Sequence, residues 1–394
     1  MRRLRAVGAA CVGALILASG ETAAGAEIAS DRPAALVIYP SVKVGRVGSG
    51  QDTSIRLVNA NPTAPILLAC FYLDTDSHCL GGAQDGAICT GAAQICTGGT
   101  CKAGWSERDF RIQLTAGQPI EWTASVGLAS PPIPAGVCDQ NPARKCGTDA
   151  DCSPYGAGAC TQSNVGTRIP PVAEQPFTGE LRCWAIDVNG VPIARNDLTG
   201  VAVIETATTT GLDVASYDAI GVPATGHFDS KPNQLALGGS SPEYGGCPGY
   251  LSLDHFFDGA ADPVPGTTDT IVTNVVLVTC TDNMLTQKSG QAIVQYLVYN
   301  EFEQRFSTSN SVKGLKDVQL CKIDTSECTQ SIWNVAVSGT LTGQTMILPL
   351  TVGTQHSGLV GIAVEKHSGK TTRTAAFNLH FRGDRGVADT ITFP

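Results

Sequence analysis

"LVIYPSVKVGRVGSGQDTSIRLVNANP", Leu36–Pro62, is the stretch on which the fold reading turns. Two short apolar or alternating runs are parted by a Gly-rich turn, the pattern of strand, turn, strand. The same stretch lies over "LVTCTDNMLTQKSGQAIVQYLVYNEFE", from Leu277, with Ser49-Gly50-Gln51 against Ser289-Gly290-Gln291. Further on, "GWSERDFRIQLTAGQPIEWTASVG" lies over "SIWNVAVSGTLTGQTMILPLTVG", pairing Trp105 with Trp333 and Gln118 with Gln344. "TGELRCWAIDVNG" then lies over "SGLVGIAVEKHSG", pairing Gly179 with Gly358 and Ala185 with Ala363. Three matches in one order predict a tandem duplication. Two unrelated β-domains of similar composition are the alternative.

Outward from these segments the texture stays the same. Runs such as "AALVIY", "ELRCWAID" and "TAAFNLHF" are broken by Gly, Pro, Asn and Asp, and only "LDVASYDAIG" looks helical. The chain therefore reads as all-β. Seven strands are expected in the first copy: Ala34–Tyr39, Thr53–Asn59, Ile66–Leu73, Arg108–Leu114, Ile120–Ser125, Glu180–Asp187 and Gly200–Glu205. That count predicts two tandem immunoglobulin-like β-sandwich domains, over 27–206 and 269–394. Residues 207–268, rich in Gly and Pro but containing "GYLSLDHFF", read as a linker with one added strand.

The first 26 residues read as a cleaved signal peptide. Arg2, Arg3 and Arg5 precede the short apolar run "AVGAACVGALILA", and "AGA" ends at Ala26. Three of the 26 Lys and Arg and one of the 35 Asp and Glu lie in that leader, so 23 against 34 remain, net −11. Such a charge argues against nucleic acid and anionic lipid as partners. No later apolar run is long enough for a transmembrane helix. Export to the periplasm or the extracellular space is expected, and with it oxidised cysteines. Cys11 leaves with the leader, so 14 of the 15 cysteines remain, enough for seven disulfides.

Eight of those fourteen form two inserts absent from the second copy. Cys79, Cys89, Cys96 and Cys101 occupy 79–101, and Cys138, Cys146, Cys152 and Cys160 occupy 138–160. The intervening segments are nine, six and four residues, then seven, five and seven, which departs from the close thiolate pairs of a zinc knuckle. Asp74 and Asp76 begin like a calcium loop, but His78 stands where an oxygen ligand belongs and the distal Glu is missing; "GTDADC" falls short in the same way. Disulfides remain: polar segments of this length need covalent staples, each worth about 2–4 kcal/mol. Pairing is expected within each insert, with three connectivities open for each. Outside them, Cys70–Cys183, Cys247–Cys280 and Cys321–Cys328 are the expected bridges.

In an up-and-down sandwich both inserts emerge at one pole, where clustered loops on a rigid scaffold usually bind. Catalytic patterns are thin. Asp254, His255, Asp258 and Asp262 gather in "LDHFFDGAAD", yet Asp254 and His255 point to opposite faces, and Asp254 and Asp258 sit about 13 Å apart along a strand. His356-Ser357 and His367-Ser368 flank one strand at roughly 25–30 Å, too far for one site. The four tryptophans fall in strand-like runs and read as core. No catalytic, metal or cofactor residue is assigned, and no cofactor is expected.

"CFYLDTDSHC", "GWSERDFRIQLTAGQPI" and "NEFEQRFSTS" resemble segments of a family of secreted, uncharacterised bacterial proteins across most of the mature chain. The inserts are similar to Cys-rich "C–xxDxDC–GxC" repeats of bacterial exported proteins. The resemblance implies export and carries over no functional residue. The expected function is non-catalytic: binding or scaffolding of a protein or glycan at the cell surface through the stapled pole, with a secreted hydrolase bearing its site on loops as the alternative.

Overall fold

The computed structural model describes residues 28–394 apart from 76, 86, 88, 90–95, 103, 129–135, 147–148, 150–151, 162–168, 210, 229–230, 262–269, 354–355 and 369–372. The expected signal peptide and Asp262 lie outside the described residues. In chain order the strands are β1 (Leu36–Val44), β2 (Gln51–Asn59), β3 (Ile66–Asp74), β4 (His78–Leu80), β5 (Thr100–Lys102), β6 (Ser106–Leu114) and β7 (Pro119–Thr123). Then come β8 (Gly136–Cys138), β9 (Asn141–Cys146), β10 (Cys160–Thr161), β11 (Phe177–Ile186), β12 (Leu198–Thr208), β13 (Gly211–Asp218) and β14 (Ile220–Val222). The rest are β15 (Gln234–Leu237), β16 (Pro248–Phe256), β17 (Thr270–Thr279), β18 (Asp282–Asn283), β19 (Lys288–Ser289), β20 (Gln291–Asn300) and β21 (Arg305–Lys313). The series ends with β22 (Leu315–Gln319), β23 (Thr342–Leu350), β24 (Leu359–Ser368), β25 (Arg373–Asn378), β26 (His380–Asp384) and β27 (Asp389–Thr392).

The chain is all-β, 57% strand, and its five main sheets take a five-bladed, propeller-like arrangement. Their orders are β14-β1-β11-β3-β6, β13-β12-β2-β7, β15-β27-β18-β19, β21-β20-β23-β16-β26 and β22-β17-β24-β25. Each blade mixes strands that lie far apart in the chain. Two smaller sheets, β4-β5 and β10-β8-β9, belong to the inserts.

This overturns the expectation of two tandem immunoglobulin-like sandwiches. A two-layer sandwich leaves the outer face of each sheet to solvent. The first sheet here is buried on both faces. Val37, Leu68, Cys70, Tyr72 and Leu181 point into a core shared with Ile55, Leu57, Trp122 and Ala202 of the second sheet. Leu36, Ile38, Phe71 and Trp184, on the opposite face, pack on Leu235, Leu237 and Ile391 of the third. Trp184 stacks on Phe71 at 4.7 Å and 8°, with Phe393 at 4.8 Å. The fourth and fifth sheets enclose a further core of Leu253, Tyr296, Ile347 and Leu277. Asn378 Nδ2 donates to Asp218 O at 2.8 Å, joining the fifth sheet to the second.

Two local expectations change with it. "LDVASYD" is β13, not helix, because pairing with β12 buries Ala215 and Tyr217 on one face while Leu212 and Val214 face solvent. Segment 207–268 carries β13, β14, β15 and β16, four strands where one was expected. The likeness between "LVN" and "VYN" survives as a local device. Asn59, buried at the end of β2, donates through Nδ2 to Ala64 O and Thr115 O at 2.8 and 2.9 Å. Asn300, buried at the end of β20, donates to Gln304 Oε1 and Ser338 O, both at 2.8 Å. Each side-chain oxygen accepts a backbone N–H two residues on, so one amide closes the turn in both places.

Candidate functional site

Strand pairing locates both inserts. Asp74, at the end of β3, faces Gly179 near the start of β11 and Ser106 at the start of β6. Val44, at the end of β1, faces Phe177, while Thr123, at the end of β7, faces Ser54 near the start of β2. The insert between β3 and β6 and the insert between β7 and β11 therefore leave the body from the same end.

Each insert is a knob with its own small core. In the first, Cys79–Cys96 and Cys89–Cys101 cross, and Cys79, Cys89 and Cys96 are buried beside Ala87. Backbone bonds Cys79 N to Ala87 O and Cys89 N to Ser77 O, both 2.8 Å, thread the chain between the bridges. In the second, Cys138–Cys152 closes the corresponding span and encloses Ala157. Cys160 is also disulfide-bonded; the side chain of Cys146 lies outside the described residues. Closing loops of 17 and 14 residues restricts the unfolded chain by about 3 kcal/mol each.

The acidic residues of the knobs clamp backbone. Asp85 Oδ1 accepts from Gly81 N at 2.7 Å, Asp139 Oδ1 from Ala159 N at 2.9 Å, and Asp149 Oδ1 from Cys160 N at 2.7 Å. In "GTDADC", Asp149 is engaged in such a clamp; Asp76 and Asp151 lie outside the described residues. Among the described residues, the knobs present outward Gln84, Asp85, Gln140 and Ser153, with one aromatic. Tyr155 is 66% exposed, and the Arg144 guanidinium carbon sits 3.4 Å from its ring centroid. An exposed aromatic held by a cation keeps its ring presented at low entropic cost.

The base of the knobs is rigid. Cys70 and Cys183 are directly opposed on β3 and β11 and bonded, with Cα atoms 4.1 Å apart. Trp105, where the first knob rejoins β6, has φ 66° and donates its backbone N–H to Asp74 O at 2.5 Å. Its indole covers Gly314, where a Cβ would come within 2.5 Å of the ring, so only glycine fits beneath it. Cys247–Cys280 and Cys321–Cys328 are bonded in the later half.

A buried ionic cluster, invisible in the sequence, fixes the same region. Arg182 is fully buried and donates through Nε and Nη2 to Glu180 at 3.1 and 2.8 Å and through Nη2 to Thr279 O at 2.6 Å. Its Nη2 also meets Asp282 at 2.5 Å. Burial raises both carboxyls above their ordinary range, and the guanidinium opposes that rise.

The residues weighed for catalysis do other things. His255 is buried, with Nδ1 on Phe256 O at 3.0 Å and Nε2 on Thr345 Oγ1 at 2.8 Å. Trp333 Nε1, which can only donate, also reaches Thr345 Oγ1, at 2.9 Å. The hydroxyl must then donate to His255 Nε2, leaving the proton on Nδ1. Desolvation lowers the histidine to about 4, so it is neutral and structural. Asp254 accepts from Gln344 and Asp258 from Gln319. Ser357 Oγ donates to Gly358 O at 2.9 Å, while Asp389 is filled by Thr281, Gly358 and Arg385. His367 is bound to Glu365. All four tryptophans are buried. Among the described residues, the three places where metal-ligating atoms converge all contain disulfide-bonded cysteines.

No helix of the described residues is long and apolar enough to cross a membrane. The numerous disulfides are compatible with an exported protein. No protein-family model matches the chain, and no curated protein sequence matches it.

Proposed function

We propose that the protein is an exported, non-catalytic binding or scaffold protein whose recognition surface is the disulfide-stapled end. The observation that carries this is the emergence of two separately stapled knobs from one end of a sheet buried on both faces. A scaffold that rigid holds loops without itself deforming, which lowers the ordering cost of binding. The described residues exposed on the knobs include Gln84, Asp85, Gln140 and Ser153 beside a single held tyrosine, a composition suited to adaptable hydrogen bonding around an aromatic anchor. Its partner is a protein or glycan of the cell surface.

The test uses the mature, oxidised chain on a glycan array and on immobilised envelope proteins, followed by oxidative footprinting of the complex. Protection of Tyr155 on binding is the expected result. A captured partner that leaves Tyr155 as reactive as in the free protein would overturn the assignment of the surface.

A further inference from the structure

The fourth sheet has a face that enters none of the molecule's cores. On β20 and β23, adjacent inner strands, Ala292, Val294, Tyr296, Val298 and Ile347 enter the core shared with the fifth sheet, and the alternate residues face away from it. An antiparallel sheet with one face in water normally carries polar residues there. Here five of the outward residues are apolar: Ile293, Leu297, Met346, Leu348 and Leu350. Strand register gathers them into one patch, with Ile293 against Leu350 and Leu297 against Met346. All five are partly exposed, and none belongs to a hydrophobic core among the described residues.

The border of this patch is self-complementary. Cross-strand register lines up Arg305, Tyr299, Gln344 and Asp254 on β21, β20, β23 and β16. The next row reads Ser307, Leu297, Met346 and Ser252. A two-fold axis running along the strands between β20 and β23 lays β21 of one copy over β16 of the other. Arg305 then stands over Asp254, Ser307 over Ser252 and Leu297 over Met346, and each contact recurs by symmetry. Packed sheets lie about 10 Å apart, a gap that an arginine and an aspartate reaching toward each other can close. Arg305 is exposed with no ion-pair partner among the described residues, and Asp254 is met by the neutral Gln344 amide. Other self-pairings put like charges together. Joining β21 edge to edge with its copy about Ser309, or turning the face about an axis across the strands, sets Arg305 against Lys313. With the axis along the strands, one like-charge approach remains. Glu301, two residues beyond Tyr299, accepts from Thr342 N and Oγ1, so it lies near the axis and meets its own copy.

We propose that this outer face of the fourth sheet is the interface of a two-fold homodimer, with Arg305 of each copy paired to Asp254 of the other around the apolar patch. Association takes the patch out of water, and the paired charges fix its register. The face includes no residue of either knob, so it is independent of whatever they recognise.

The experiment is sedimentation equilibrium of the mature, oxidised protein over about 1–200 µM, which reads a micromolar dissociation constant. A reversible monomer–dimer equilibrium is expected. Arg305→Asp and Asp254→Arg should each weaken it about tenfold or more, since like charges then face each other at both symmetry-related places. The double variant should return to within about threefold of the parent, the signature of a direct pair. Both side chains are exposed, so the thermal midpoint of the dilute monomer should not move. Glu301→Gln should tighten the dimer, and weakening would overturn the placement of the axis. A chain monomeric at every concentration overturns the proposal. So does a dimer indifferent to both reversals, or one that both weaken and the double variant fails to rescue.

Discussion

Arg182→Met removes the only cation from a fully buried site and leaves Glu180 and Asp282 facing each other. Lost with it are two hydrogen bonds to Glu180, one to Thr279 O and the ion pair to Asp282. Breaking a buried pair by deleting one partner costs about 3–5 kcal/mol, because the remaining charge is desolvated and unpaired. Two carboxylates remain here, so the upper end applies near pH 8, about 5 kcal/mol. Protonation limits the damage. Both carboxyls already titrate above their ordinary range when Arg182 is present, and its loss raises them further. A raised carboxyl gives the folded state more bound protons than the unfolded one, so stability falls as pH rises through that window. The penalty should therefore shrink to about half by pH 5. Urea melts of parent and variant at pH 5 and pH 8, with unchanged m-values, measure it. Combining Arg182→Met with Glu180→Gln and Asp282→Asn should recover most of the loss, as apolar or neutral replacements of buried ion clusters do. A penalty below about 1 kcal/mol, or one equal at both pH values, would show that Arg182 does not compensate these charges.

Two further outcomes follow from the geometry. His255 is held neutral at about 4 against an ordinary 6.5, so the stability it contributes is present above pH 6.5 and lost as pH falls to 4, about 3 kcal/mol in all. His255→Gln should remove that acid-side slope, which parallel pH series of thermal melts would reveal; an unchanged slope refutes the buried neutral histidine. Cys79→Ser with Cys96→Ser should open the first knob to proteolysis between residues 79 and 101 while the global thermal midpoint stays within a few degrees, since the knob carries its own core. Cooperative loss of the whole fold would show instead that the knob is integral to the body.

The strand content was legible because the alternation in "TSIRLVN" is what a half-buried strand requires, and β2 buries Thr53, Ile55, Leu57 and Asn59. The Cys70–Cys183 pair could be proposed from strand order and from the joint absence of its counterparts in the later half, and Cys321–Cys328 from its hairpin-sized loop. The arrangement of the sheets was not legible in that way. "ILLACFYLD" and "ELRCWAI" are near-continuous apolar runs, the mark of strands covered on both faces, and counting them as ordinary sandwich strands hid the third layer. Nothing in the sequence marks Arg182 and Glu180 as buried, because their partner Asp282 is a hundred residues away in the chain. "LDVASYD" satisfied a helical spacing as well as an alternating one, and the neighbouring β12 decided between them. The sequence could say that "GTDADC" falls short of a calcium loop, but not that Asp149 accepts from the backbone N–H of Cys160.

The most direct test of the recognition end is retention of the fluorescently labelled mature protein on intact cells of its source, against a variant with 79–101 and 138–160 replaced by short Gly-Ser turns. The account expects the variant to keep its thermal midpoint, because the sheets beneath the knobs have their own cores, and to lose at least tenfold in retention. A folded variant retained as well as the parent would contradict it.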